Sequence, residues 1–256
     1  MNQYKIWAVC LAILTLVVVA ILVKKSLYPT VRESDFQLNY QHFQNLQKNL
    51  LVVRPTHFTD GGGSFITSTQ PKPGQYVMRM MGRNVSLENV MAAAYGCYPS
   101  RVVPPAIKPK TNFDYLVTVP SRQQERLQAA VKNKLGYAAH WEDRDTDVLL
   151  LETTTPNPPA FKLSTATIGN VMPGRRKYQF THMRPAALLG FLESNFHQPL
   201  LDRTGLTNFY DFSVEADWSG SNGPDRQQLD AVLGNLGLKL EPGTESIPML
   251  VVEKVY

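Results

Sequence analysis

Two stretches about a hundred residues apart carry the same grammar, and that echo limits the folds open to the chain. Phe113-Asp114-Tyr115-Leu116-Val117-Thr118-Val119 reads as a strand with an acid near its start, and so does Phe209-Tyr210-Asp211-Phe212-Ser213-Val214. Asp114 and Asp211 are 97 residues apart. Leu135-Gly136-Tyr137 and Leu236-Gly237-Leu238 are 101 apart, as are Leu149-Leu150-Leu151-Glu152 and Leu250-Val251-Val252-Glu253. A shift this steady through successive element types predicts a duplicated unit with the order strand, helix, strand, helix, hairpin. The fold class expected is α+β: two tandem repeats with mixed or antiparallel sheets, helices on one face, and an N-terminal transmembrane helix.

Ile6 to Val23 is eighteen residues without a charge, broken only by Thr15. As a helix it is roughly 27 Å long, close to the hydrocarbon thickness of a bilayer. Val18-Val19-Ala20 is a poor cleavage site, so an uncleaved signal-anchor is favoured over a secreted product. The bulk is then placed in the periplasm or otherwise outside the cytoplasm, held by a single pass through the cell membrane. The expected division is 1–25 anchor, 26–49 spacer, 50–153 first repeat, 154–177 proline-rich connector and 178–256 second repeat.

Within the first repeat, Leu50 to Pro55 is a strand and Thr59 to Gly74, with its triglycine, a loop. Ser86 caps a helix from Leu87 to Tyr95. Ser121 and Gln124 form a capping box for a helix ending at Gly136. Tyr137–Trp141 and Val148–Glu152 make a hairpin about the acidic turn Glu142 to Asp145. The connector lacks backbone donors at Pro156, Pro158 and Pro159, so regular structure should stop there. In the second repeat Pro185 opens a helix, and Leu238–Leu240 pairs with Met249–Val255 in a closing hairpin.

Reactive chemistry is hard to find. The net charge of +5 includes Lys5, Lys24 and Lys25 beside the apolar segment, and no basic face marks a nucleic-acid partner. The five histidines show no zinc-hydrolase spacing and Cys10 is far from Cys97, so no metal, cofactor or disulfide is expected. Asp202 suits an Asx turn before Gly205, which takes positive φ. Asp211 and Asp114 hold the same place before a strand, which points to a shared structural task. Exposed aromatics and the turn give a candidate binding set of Trp141, Asp202, Arg203, Tyr210, Asp211 and Trp218. No catalytic residue is assigned.

From about Leu51 onward the chain resembles an exported, soil-bacterial (acidobacterial-type) domain family of unknown function. The resemblance rests on Val52-Val53-Arg54-Pro55, Asn84-Val85-Ser86-Leu87, Phe113-Asp114-Tyr115-Leu116-Val117, Leu201-Asp202-Arg203-Thr204-Gly205-Leu206, Tyr210-Asp211-Phe212 and Leu236-Gly237-Leu238-Lys239-Leu240-Glu241. Related domains stand behind BlaR-type membrane metallopeptidase sensors, and the family offers no catalytic set to carry over. Each half is also similar, at the level of fold alone, to the small amino-terminal domains of secretin and TonB-dependent proteins.

The function expected is a membrane-anchored extracytoplasmic binding or interaction module without catalysis. Its envelope partner would add a strand at the edges Val148–Glu152 and Leu250–Val255. Two alternatives are a glycan hydrolase using Asp202, Asp211 or Glu215, and a ligand sensor with an aromatic pocket.

Overall fold

The computed structural model describes residues 31–46, 49–72, 75–173, 177–215 and 226–255. The apolar segment 6–23 and Trp218 lie outside them. Among the described residues no helix is long and apolar enough to cross a membrane.

In chain order, a 3-10 turn at Glu33–Phe36 precedes α1 (Tyr40–Asn45), β1 (Leu51–Pro55), β2 (Gly63–Lys72), β3 (Gln75–Val85) and α2 (Leu87–Tyr95). A second 3-10 turn at Pro99–Arg101 leads to β4 (Val102–Val103), β5 (Phe113–Val117), α3 (Gln123–Leu135) and β6 (Tyr137–Thr153). Then come β7 (Lys162–Leu163), β8 (Asn170–Pro173), β9 (Lys177–Met183), α4 (Ala187–Phe196) and β10 (Leu200–Asp202). The chain finishes with β11 (Tyr210–Glu215), α5 (Arg226–Asn235) and β12 (Leu238–Lys254). The α+β class is as read from the sequence.

The chain divides into two compact units. The first takes the described residues up to Tyr95, with Pro109–Tyr137 and Val255; the second takes Gly96–Lys108 and Ala138–Lys254. These are not the segments 50–153 and 178–256, because β6 belongs almost wholly to the second unit.

The first unit is built on an antiparallel sheet in the order β1-β5-β3-β2. Every residue of β5 is buried, because both faces of the sheet are covered. Helices α2 and α3 pack on one face. On the other, Phe36, Phe43 and Leu46 close over Met81 and Leu116. The stretch expected as a spacer is therefore part of the core, and helices do not keep to one face here. Burying Phe36 and Phe43 stabilises the fold by about 2–3 kcal/mol each. Arg79 fixes α1 by donating to the carbonyls of Phe43, Gln44 and Leu46, which would otherwise be orphaned at the helix end.

Other expectations fail locally. The loop expected over Thr59–Gly74 holds β2, since Ser64-Phe65-Ile66-Thr67 is a strand-favouring run. The Ser121–Gln124 capping box does not form: α3 starts after Arg122, whose φ of 52° breaks the approach, and Gln123 bonds back to Val119. Gly136 does end the helix, at φ 73°.

The second unit holds two sheets. One runs β10-β6-β12-β4. Here the expected hairpins are wrong: β6 and β12 are each single strands of 17 residues, and they pair with each other. Thr154 N–H donates to the Gly237 carbonyl, Lys239 meets Glu152 and Thr244 meets Asp147, which fixes an antiparallel register. Glu142 to Asp145 contains no Gly or Asn to reverse the chain, so the strand runs through, with Glu142 and Arg144 paired on one side. The strands expected as edges are interior. β10 lies parallel against β6 (Leu200↔Leu149) and β4 parallel against β12 (Leu250↔Val102).

The other sheet is antiparallel, in the order β7-β11-β9-β8. Two of its strands lie in the expected connector. The prolines stop regular structure only as far as Pro159, leaving Lys162–Leu163 and Asn170–Pro173 free to pair. One face packs Phe180, Phe212 and Val214 against Leu188, Leu192, Leu229 and Leu233. β11 alternates buried and half-buried residues, the pattern of a sheet covered on one side.

A methyl group at Gly82 would sit 2.2 Å from the buried Tyr115 ring, which cannot retreat. Gly82→Ala is expected to cost about 1–3 kcal/mol, read as a lower urea midpoint with unchanged slope. Val251→Pro should unfold the protein rather than spare the fold and remove a partner, because β12 is interior. A folded Val251→Pro protein by circular dichroism contradicts this placement.

Candidate functional site

Asp211 sits where β9 bulges past β11, between the pairs Met183↔Tyr210 and Phe212↔Phe180. The bulge forces His182 to φ 51°, a conformation a non-glycine residue adopts at a cost of about 1–2 kcal/mol. The Asp211 carboxylate offsets this by accepting the His182 N–H at 2.8 Å, and it accepts the Ser164 hydroxyl as well. The Ser164 hydrogen bond, then the His182 N–H, hold the Asp211 carboxyl below the usual carboxylate range. The first unit builds the same device. There Asn84 has φ 51°, and Asp114 accepts its N–H at 3.0 Å, Thr56 Oγ1 at 2.7 Å and Arg54 Nε at 3.2 Å.

Asp202 is also spent on backbone. Its Oδ1 accepts the N–H of Thr204 at 2.9 Å and the Thr204 hydroxyl at 2.7 Å, forming the Asx turn, and Gly205 follows at φ 68°. Arg203 points to Glu245 at 2.9 Å, and Glu215 to Lys177 at 2.6 Å. Trp141 is exposed on β6. The described members of the candidate set therefore keep separate partners. Tyr210 packs edge-on against Phe161, while Phe209 stacks on His182 at 4.3 Å with the Arg184 guanidinium over its ring.

Tyr210 does reach a cavity. A groove of about 390 Å³ lies between the Asn157–Leu163 segment and the Leu206–Tyr210 segment. Its lining includes Asn157, Phe161, Leu163, Leu206, Asn208 and Tyr210, with no charged side chain. β7 is the outermost strand beside it. Such a groove suits neutral hydrogen-bonding or apolar groups and provides no acid or base. Among the described residues no group of three or more His, Cys, Asp or Glu is placed to hold a metal ion.

Sequence reasoning missed a buried charge. Glu193 is fully enclosed, and accepts from Ser100 Oγ, from Arg101 Nε at 3.0 Å and from Arg101 Nη2 at 3.2 Å. Arg101 also donates to the Leu200 carbonyl, so the pair ties the Pro99–Arg101 turn, α4 and β10 together. Gly190 is small because Tyr98 lies against it; a Cβ there would be 1.9 Å from the Tyr98 hydroxyl. Nothing in the sequence signals this pairing, since the partners are 92 residues apart. Burial raises the nearby, half-buried Cys97 thiol to about 11, which keeps it protonated near neutral pH.

These features define an α+β protein of two units whose acidic side chains shape its backbone. The chain belongs to the family described as Protein of unknown function (DUF3738), which matches residues 88–255. No curated protein and no solved structure matches it.

Two tests follow from the geometry. Because the folded Asp211 carboxyl titrates below 3.8, its stabilisation is present above that pH and is lost as pH falls through the folded value. The urea midpoints of wild type and Asp211→Asn should differ near about pH 6 and converge toward about pH 2; a constant gap contradicts the assignment. Cys97 should alkylate far more slowly with iodoacetamide in the folded chain than in urea, and similar rates would show an accessible thiol.

Proposed function

We propose that the chain is a membrane-tethered, extracytoplasmic binding module that acts by holding a partner and not by catalysis. One observation carries this reading: the uncharged groove beside the outermost strand β7. A short sheet edge next to a pocket for alternate side chains is the arrangement used when a partner adds an extended segment. Of the acids that alternative needs, Asp202 and Asp211 are occupied by turn and bulge hydrogen bonds and Glu215 is paired with Lys177, which disfavours glycan hydrolysis. The tether is the apolar run 6–23, which is long enough for a single pass. The exported, sensor-associated setting inferred from the sequence resemblance agrees with it.

The module is also proposed to descend from a duplicated unit. The sheet orders β1-β5-β3-β2 and β7-β11-β9-β8 correspond strand for strand, and both carry a bulge closed by an aspartate. Helices α3 and α5 are each followed by a glycine at φ 73° and 72°. The parallel pairs Leu250↔Val102 and Leu200↔Leu149 exchange under the same shift.

A photo-crosslinking amino acid at Leu163 of the full chain, expressed in its host, tests the binding role. A discrete adduct in the envelope fraction, absent when the crosslinker is at the exposed Lys134, is the expected result. No adduct at either position overturns the reading. The tether is checked separately: alkaline carbonate should leave the full chain in the membrane pellet, and release into the supernatant contradicts it.

A further inference from the structure

We propose that the groove beside β7 receives one tyrosine side chain of the segment that adds there. This deepens the strand-addition reading and rests on it. The choice of side chain follows from the backbone phase of β7 and from what lines the groove.

The phase is fixed by one hydrogen bond. Ser164 N–H donates to the Phe209 carbonyl, and the same ladder pairs Leu163↔Tyr210 and Lys162↔Asp211. In an antiparallel pair, bonded and non-bonded residue pairs alternate. Lys162 therefore bonds β11 as Ser164 does, and the N–H and C=O of Leu163 point away from it. A residue of an incoming strand that bonds Leu163 lies opposite it and shares its face of the sheet. That face holds the groove, since Phe161, Leu163 and Tyr210 all line it. Lys162, Ser164 and Asp211 alternate to the other face, where the Ser164 hydroxyl bonds the Asp211 carboxylate. The added strand thus delivers one side chain into the groove, and the charges of β7 and β11 stand on the far side of the sheet.

The lining selects that side chain. Its walls are apolar: Phe161 meets Tyr210 edge-on at 5.8 Å, and Leu163 is 68% exposed. Covering Leu163 removes apolar surface from water. No charged residue lines the groove, so an entering carboxylate or ammonium loses hydration and gains no partner. Three polar groups do line it: the side-chain amides of Asn157 and Asn208 and the Tyr210 hydroxyl. None of them has a hydrogen-bond partner among the described residues.

A phenylalanine or leucine side chain would displace water from these groups and return no hydrogen bond. Glutamine would bond them, but it buries less apolar surface and loses more rotamer freedom. Tyrosine supplies a rigid apolar body with a hydroxyl that both donates and accepts. The volume of about 390 Å³ falls within the roughly 300–1,000 Å³ of sites for small ligands.

The test titrates the full chain, held in lipid nanodiscs, with acetyl-Thr-Val-Xaa-Val-Thr-amide peptides carrying Tyr, Phe, Gln, Glu or Lys at the centre. The Tyr peptide is expected to bind at least about fivefold tighter than the Phe peptide, and at least about tenfold tighter than the Glu and Lys peptides. Equal binding by all five, or a tightest binder other than the Tyr peptide, overturns the tyrosine assignment. So does an absence of binding by every peptide, with or without binding of methyl glucoside in their place. Strand addition itself is read separately from the adduct at Leu163, so an adduct alongside any of these results confines the failure to the choice of side chain. As a second measurement, Asn157→Ala, Asn208→Ala and Tyr210→Phe together remove the three polar groups and keep the apolar lining. In that variant the Tyr and Phe peptides should bind equally, and binding of the Phe peptide shows that it is folded. A Tyr preference retained in the variant overturns the assignment.

Discussion

The ladder between β6 and β12 is the constraint on which the second unit depends. Two strands of 17 residues lie side by side at the centre of a four-stranded sheet. Their inner residues, including Val148, Leu149, Leu151, Leu250 and Val252, are buried. β4 and β10 are too short to persist alone and exist because this ladder presents open edges to them. The Arg101–Glu193 pair then fastens α4 to β10 and so to the same sheet. A buried pair of this kind is costly to desolvate, and contributes through its geometry more than its net energy.

Much of the architecture was legible. The helix Leu87–Tyr95 is bounded as read, and the glycines at 136 and 237 end their segments at positive φ. The covering of the two antiparallel sheets was also written in the strands. Tyr115-Leu116-Val117 is apolar throughout because α1 and the Glu33–Phe36 turn cover one face while α2 and α3 cover the other. Phe212-Ser213-Val214 alternates because only one face of its sheet meets a core. The aromatics Phe36 and Phe43, scattered in an otherwise polar stretch, already indicated burial that the spacer reading overlooked.

The rest depended on distant pairing. A strand that bonds a partner about a hundred residues away looks, locally, like half of a hairpin. The acidic run Glu142 to Asp145 suggested a turn, yet charged residues are equally at home on the exposed end of a long strand. The connector misled in the same way, since its prolines precede the paired residues Lys162–Leu163 and Asn170–Pro173 rather than interrupt them. Among the candidate residues, the structural reading of Asp202 was available from the Asp-Arg-Thr-Gly order. The bulge at Asp211 was foreshadowed only by its counterpart at Asp114. The groove at Tyr210 had no sequence signal, because it is framed by segments that are neighbours only in the fold.

Acids committed to backbone geometry and an interior ladder, with the shorter strands at the margins of the described sheets, are the features that the account rests on. Native-state hydrogen exchange on the full chain addresses that arrangement most directly. The account predicts that amides of Val148–Glu152 and Met249–Val252 exchange only through global unfolding, while the Val171 amide on the outer strand β8 exchanges orders of magnitude faster. Exchange of the β6 and β12 amides as fast as that of Val171 would contradict it.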